Sequence, residues 1–181
     1  MKLVDLAPQR ARMEPGLSRA IARVLDHGQF IMGPEVAELE ARLAQFCGAR
    51  HCITTSSGTD ALLLAMLAQG IGAGDGVICP AFGFVAAAEV ARLIGAVPIF
   101  AEVSDIDCNL DPARLPEAVE AAHRANITPR AIVAIDTFGV PAPLDEIEAF
   151  VQKQGLNLIS DAAQSFGAAR DGRRVSLPLE Y

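Results

Sequence analysis

The chain has 181 residues, 51% hydrophobic and 20% charged, with a formal net charge of −7. That length fits one domain with a substantial core, and the acidic balance, with no Lys/Arg cluster, excludes a binder of nucleic-acid backbone. The mean hydropathy of +0.32 is high and fits a parallel sheet covered on both faces or a large subunit interface.

Charges are scattered through the first 25 residues, and the longest uncharged runs, such as Ala61 to Gly74, contain Gln and Gly. No signal peptide or membrane span is therefore expected, and no membrane partner. Cys47, Cys52, Cys79 and Cys108 contain no Cys-x-x-Cys pair, and His27, His51 and His123 are far apart. Buried thiols in a reducing cytoplasm and no bound metal are the expectation.

In chain order, Leu17, Ile21, Val24 and Leu25 predict an amphipathic helix over 15–26, and Gly33-Pro34 predicts a turn. A second helix is predicted over 35–47, apolar at Val36, Leu39, Leu43 and Phe46 and stopped by Gly48. The period then changes. Strands are predicted at "HCITT", "GVICP", "VPIFAEV", "RAIVAID" and "LNLIS", separated by helices over 60–70, 84–95, 111–125 and 143–155. No two successive strands are close enough for a tight hairpin, so the fold class is α/β, a mostly parallel sheet with helices on both faces.

Ligands gather at the carboxyl ends of such strands. The loops falling there are "TSSGTD", "PAFGF", "IDTFG" and "DAAQS". Ser57, Gly58 and Thr59 open a helix, where unbonded N–H groups and hydroxyls can hold an anion; a plain N-cap by Ser57 or Thr59 fits the same residues. The stretch is neither a Walker loop nor Gly-x-Gly-x-x-Gly. Asp161 ends a buried strand, where a carboxylate either caps the next turn or faces a cationic heterocycle. Pyridoxal 5'-phosphate (PLP) satisfies both loops, with a phosphate for residues 57–59 and a protonated ring nitrogen for Asp161. Gln164 is within reach of the ring hydroxyl, and Phe84 or Phe82 can stack on the ring, although a core role for either phenylalanine is also open.

The stretches "SSGTDALLLAM", "GVICPAFGFVAAAEVARLIGAVPIFAEV", "CNLDP", "AIVAIDTFGVPAPLDEI" and "LISDAAQSFGA", preceded by "DLAPQR" and "GQFIMGPEVAELEARLAQFCGARHCI", resemble the DegT/DnrJ/EryC1/StrS family of nucleotide-sugar aminotransferases. The resemblance implies an aspartate-aminotransferase (fold type I) large domain. It also implies a homodimer that uses PLP to move an amino group, usually from glutamate, onto a keto sugar carried by a nucleoside diphosphate. Carried over by position, Gly58 and Thr59 fall where the family holds the cofactor phosphate. Phe84 falls at the ring-stacking aromatic, Asp161 at the partner of the pyridine nitrogen, and Gln164 at the ring-oxygen contact. Residues 1–48 would form an N-terminal helical arm and 49–181 an incomplete PLP-binding domain, with the C-terminal domain absent.

One element of the chemistry is unmatched. The family's Schiff-base lysine would lie about 28 residues after Asp161, past Tyr181, and the chain's only lysines are Lys2 and Lys153. The tail "RDGRRVSLPLEY" begins like the family's turn and then departs from it. Either these residues are part of a longer enzyme or they are a short, noncatalytic binding module. A histidine in place of the lysine would mark a sugar dehydratase instead. In each case the 181 residues alone are expected not to catalyse transamination and to expose an open sheet edge and apolar surface.

Overall fold

The structure is a computed structural model that describes residues 4–170 and the backbone of 173–174. Three helices lead the chain: α1 (Ala7–Met13), α2 (Gly16–His27) and α3 (Pro34–Cys47). Gly28 and Gly48 end α2 and α3 in the left-handed conformation, which glycine reaches without a Cβ penalty. No residue of these three helices is buried.

Then α4 (Gly58–Ala68), β1 (Asp75–Pro80), α5 (Ala86–Leu93), β2 (Val97–Ala101), α6 (Leu115–Arg124), β3 (Thr128–Ile135), α7 (Leu144–Gln154) and β4 (Asn157–Asp161) follow. The strands form one parallel sheet in the order β2-β1-β3-β4. A two-residue antiparallel ladder, β5 (Ala169–Arg170) with β6 (Arg173–Arg174), lies outside it.

The pleat divides the strand side chains between two cores. Val77, Cys79, Val133, Ile135 and Ile159 pack with Leu62 and Met66 of α4 and with Val90 and Ala91 of α5. Their neighbours Ile78, Ile132, Ala134 and Leu158 pack on the other face with Leu115 and Ala122 of α6 and with Ile147 and Val151 of α7. Burial on both faces is what β1 and β3, as near-continuous apolar runs, require.

The structure differs from the sequence expectation at one strand. Residues 51–55 carry no strand, because the carboxylate of Glu40 takes both the backbone N–H and the hydroxyl of Thr54, each at 2.8 Å. A backbone donor committed to a side chain is lost to a ladder. The sheet therefore has four strands, with β2 and β4 at its edges.

Candidate active site

From β1 the chain steps outward to β2, then crosses back to β3 on the other side of β1. The order of strands reverses between β1 and β3, the place where open α/β sheets form a crevice at their carboxyl edge. The loops after β1, β3 and β4 all leave from that edge.

The loop after β1 is anchored by the Ala81 N–H, which donates to the Ala101 carbonyl at 2.8 Å. Gly83, at φ 138°, takes a backbone conformation that favours glycine, and a Cβ there would stand in ordinary contact with Ile135 Cδ1 of β3, 3.6 Å away. Beyond it Phe84 is 70% exposed, leaving its ring available at the rim rather than in the core. A small hollow of about 120 Å³ under this loop is lined by Cys79, Phe84, Phe100 and Ile135, among others; neither Asp161 nor Ser57 borders it. Burial pushes the Cys79 thiol up to about 12.

Ile135 pairs in register with Asp161 on β4. Asp161 alternates with Ile159, which packs against α4 and α5, so its carboxylate is carried on that face of the sheet. The group is half-buried, and its Oδ1 accepts the Ala163 N–H at 3.1 Å, leaving Oδ2 available to a second donor. The capping role open in the sequence is thus present, and it uses only one oxygen. Gln164, three residues on, accepts the Phe138 N–H at 3.0 Å through Oε1, which orients its Nε2 as the donor for a ligand oxygen.

Helix α4 runs back through 69–74 to the start of β1, so its first turn, with Ser57 to Thr59, points toward the carboxyl edge on the face that carries Asp161. Ser57 is the N-cap: its Oγ accepts the Asp60 N–H at 3.1 Å. The hydroxyls of Ser56 and Ser57 donate to the Asp60 carboxylate, and these bonds hold its carboxyl below the usual range. The plain cap read from sequence is therefore also realised, and Ser57 is engaged within the helix. The N–H groups of Gly58 and Thr59 have no intrahelical acceptor, and both residues are exposed. A Cβ added at Gly58 would meet nothing within 4 Å, so the chain itself gives no steric reason for glycine there and leaves space beside the N–H groups.

This donor set fits PLP: exposed N–H groups at a helix start for a phosphate, a carboxylate with a spare oxygen for a protonated ring nitrogen, an oriented amide, and an exposed ring. Lys153 does not join it. It lies exposed in the last turn of α7, packed on the opposite face and leading into the start of β4, at the far edge of the sheet. Lys2 and residues 171–172 and 175–181 of the tail lie outside the described residues. No group of three or more His, Cys, Asp or Glu among the described residues is arranged to hold a metal ion.

Three site residues escaped the sequence reading. Asp136 directly follows the buried strand β3, and an apolar run leading into one aspartate, the signal that marked Asp161, marks it in "AIVAID". Asn109 and Ser165, both buried, carried no local signal. From the other side, α3 is tethered to the turn after β4 by Phe46, whose ring stacks on Phe166 with centroids 5.2 Å apart.

The chain is 46% identical over 176 residues to the UDP-2-acetamido-2-deoxy-3-oxo-D-glucuronate aminotransferase of Pseudomonas aeruginosa, covering 96% of this chain and 47% of that protein. Its fold matches a DegT DnrJ EryC1 StrS aminotransferase from Brucella abortus with a TM-score of 0.93 at 41% identity, over 96% of this chain and 47% of the other. It also matches ntda from Bacillus subtilis, solved with bound cofactor PMP, with a TM-score of 0.77 at 31% identity, over 85% of this chain and 34% of the other. The chain spans about half the length of the curated relatives it matches. With residues 13–177 also matching the family as a whole, the chain belongs to the DegT/DnrJ/EryC1/StrS aminotransferase family.

Proposed function

We propose that these residues are the cofactor-binding portion of a PLP-dependent aminotransferase that transfers an amino group from an amino acid, glutamate by family resemblance, to a keto sugar carried by a nucleoside diphosphate. The observation that carries the reading is Asp161 on the same face and at the same edge of the sheet as the open N-terminus of α4. The sugar-nucleotide class is supported by the Pseudomonas aeruginosa relative. A homodimer is supported by the unburied apolar residues of α2 and of the turn after it, with Ile31 89% exposed. A cytoplasmic location is supported by four cysteines that form no disulfide among the described residues. No helix of the described residues is long and apolar enough to cross a membrane.

In this reading the N–H groups of Gly58 and Thr59, with the Thr59 hydroxyl, bind the phosphate, while the Ser57 hydroxyl stays committed to Asp60 and shapes the turn that presents them. Phe84 covers one ring face, Gln164 donates to the ring oxygen, and Asp161 holds the proton on the ring nitrogen. Bound there, PLP supplies an electron-poor ring that accepts the electron pair left when a proton leaves the carbon bearing the amino group. Asp161 keeps that ring protonated by placing a negative charge beside it. The amine that shuttles the proton is not supplied by the described residues, since Lys153 stands at the wrong edge.

The test is titration of the chain with pyridoxamine 5'-phosphate, followed by ring fluorescence, and treatment with PLP and borohydride followed by mass spectrometry. Binding should weaken by about tenfold or more in Asp161→Asn, the loss of one charge-assisted bond, and Lys153 should carry no reduced cofactor adduct. Equal affinity in wild type and Asp161→Asn, or stoichiometric labelling of Lys153, refutes the assignment.

A further inference from the structure

We propose that Asp136 is a positioning residue for the cofactor site, a buried carboxylate that locks the turn after β3 to the turn after β4 and so sets where Asp161 and Gln164 stand. The inference rests on the proposed function and deepens it.

Asp136 is fully buried, and its partners are an amide and a hydroxyl. Oδ1 accepts the Ala142 N–H at 2.8 Å, and Oδ2 accepts the Ser165 hydroxyl. Its own N–H donates to the Asp161 carbonyl at 3.0 Å. One residue thus joins the end of β4, the turn that follows it, and the far end of its own loop. Buried carboxyl oxygens without such partners would be costly, so the loops are held where both oxygens stay satisfied.

The clamp reaches the ligand-facing groups through neighbours. Gln164 precedes Ser165, and its Oε1 accepts the N–H of Phe138, a non-glycine residue at φ 57°. A left-handed backbone at a phenylalanine is disfavoured and persists only where its surroundings fix it. Asn109, 1% exposed, fixes it from behind: Oδ1 accepts the Thr137 N–H at 2.9 Å and Nδ2 donates to the Val140 carbonyl at 3.0 Å. The ring of Phe138 then lies across from Phe82, centroids 6.1 Å apart, over the crevice between β1 and β3. Asp136 and Asn109 therefore hold both sides of one strained turn, and Gln164 is oriented by that turn.

The acceptor count explains the carboxylate. Two donors converge on Asp136, and a carboxylate accepts from both, whereas an asparagine would keep the Ala142 N–H on its oxygen and require the Ser165 hydroxyl to turn and accept from its NH₂.

The experiment compares wild type, Ser165→Ala, Asp136→Asn and the double variant in the 181-residue chain. It measures amide hydrogen exchange at Phe138, Ala163 and, as a core control, Val133. It also measures affinity for pyridoxamine 5'-phosphate and the competition of inorganic phosphate against it. In Ser165→Ala the exchange of Phe138 and Ala163 should quicken about tenfold, and pyridoxamine 5'-phosphate should bind about tenfold more weakly. Val133 exchange and the dissociation constant of inorganic phosphate should be unchanged, because the α4 N-terminus is not part of the clamp. The double variant should be no worse than the worse single one, as for two ends of one bond.

Unchanged exchange and affinity in a folded Ser165→Ala protein overturn the proposal, and so does an equal loss of affinity for both ligands, the mark of general loosening. Absence of pyridoxamine 5'-phosphate binding by the wild type refutes the proposed function instead, and the exchange of Phe138 and Ala163 still decides whether Asp136 locks the two turns.

Discussion

Cys79 gives a chemical test of the packing beneath the Phe84 loop. The thiol is 1% exposed near the end of β1, and it donates a long hydrogen bond, 3.6 Å from Sγ to the Val77 carbonyl. Burial without a cation or strong donor disfavours the thiolate and pushes the pKa up to about 12. At about pH 8 an ordinary thiol is roughly one-quarter ionised, whereas one at about 12 is ionised to roughly one part in ten thousand. Alkylation is therefore slowed roughly 2000-fold before access is considered, since the thiolate is the nucleophile. Lack of access slows it further, because reagent must wait for the 81–85 loop or the whole domain to open. Cys52 should also be slowed, less strongly, because desolvation and then the nearby Glu40 and Cys47 charges raise its pKa. The assay is iodoacetamide pulse labelling at about pH 8, with peptide mass spectrometry of native and urea-unfolded samples. Native labelling of Cys79 within about tenfold of its unfolded rate would show that the site is neither dry nor closed, and would refute this packing.

Two further predictions concern stability. Ser57→Ala removes the N-cap of α4 and should cost about 1 kcal/mol near neutrality by urea unfolding. The Asp60 pKa is lowered in the fold, so its contribution is present above the unfolded pKa and is lost as pH falls through the lowered folded value. The difference between wild type and Ser57→Ala should accordingly shrink at about pH 3, and a constant difference would remove Asp60 from the account. Ile132→Ala empties a fully buried place in the central strand pair and should cost about 2–5 kcal/mol; a loss below about 1 kcal/mol would contradict the two-faced core.

Much of the fold was legible because each element carries its own local signal. The helices 15–26 and 35–47 appear within a residue or so of their predicted ends, since apolar spacing and the terminal glycines act over a few residues. The buried strands β1 and β3 were legible as near-continuous apolar runs, the pattern that burial on both faces imposes. The run at 51–55 was read as a strand from its β-branched residues and did not become one, because a strand needs a partner and Thr54 found Glu40 instead. Pairing is a long-range property that β-branched composition does not encode.

The site divides along the same line. Sequence alone determined that Ser57, Gly58 and Thr59 open a helix and that Asp161 ends a strand, because those are local outcomes of cap chemistry and apolar runs. Tertiary structure alone decided that Ser57 is engaged with Asp60 and that Phe84 is exposed. It alone brought Asn109, Asp136 and Ser165 together from three separate stretches of chain. The physical reason is that a helix cap closes over a few neighbouring residues, whereas a buried carboxylate is satisfied by whichever donors the sheet order carries to it.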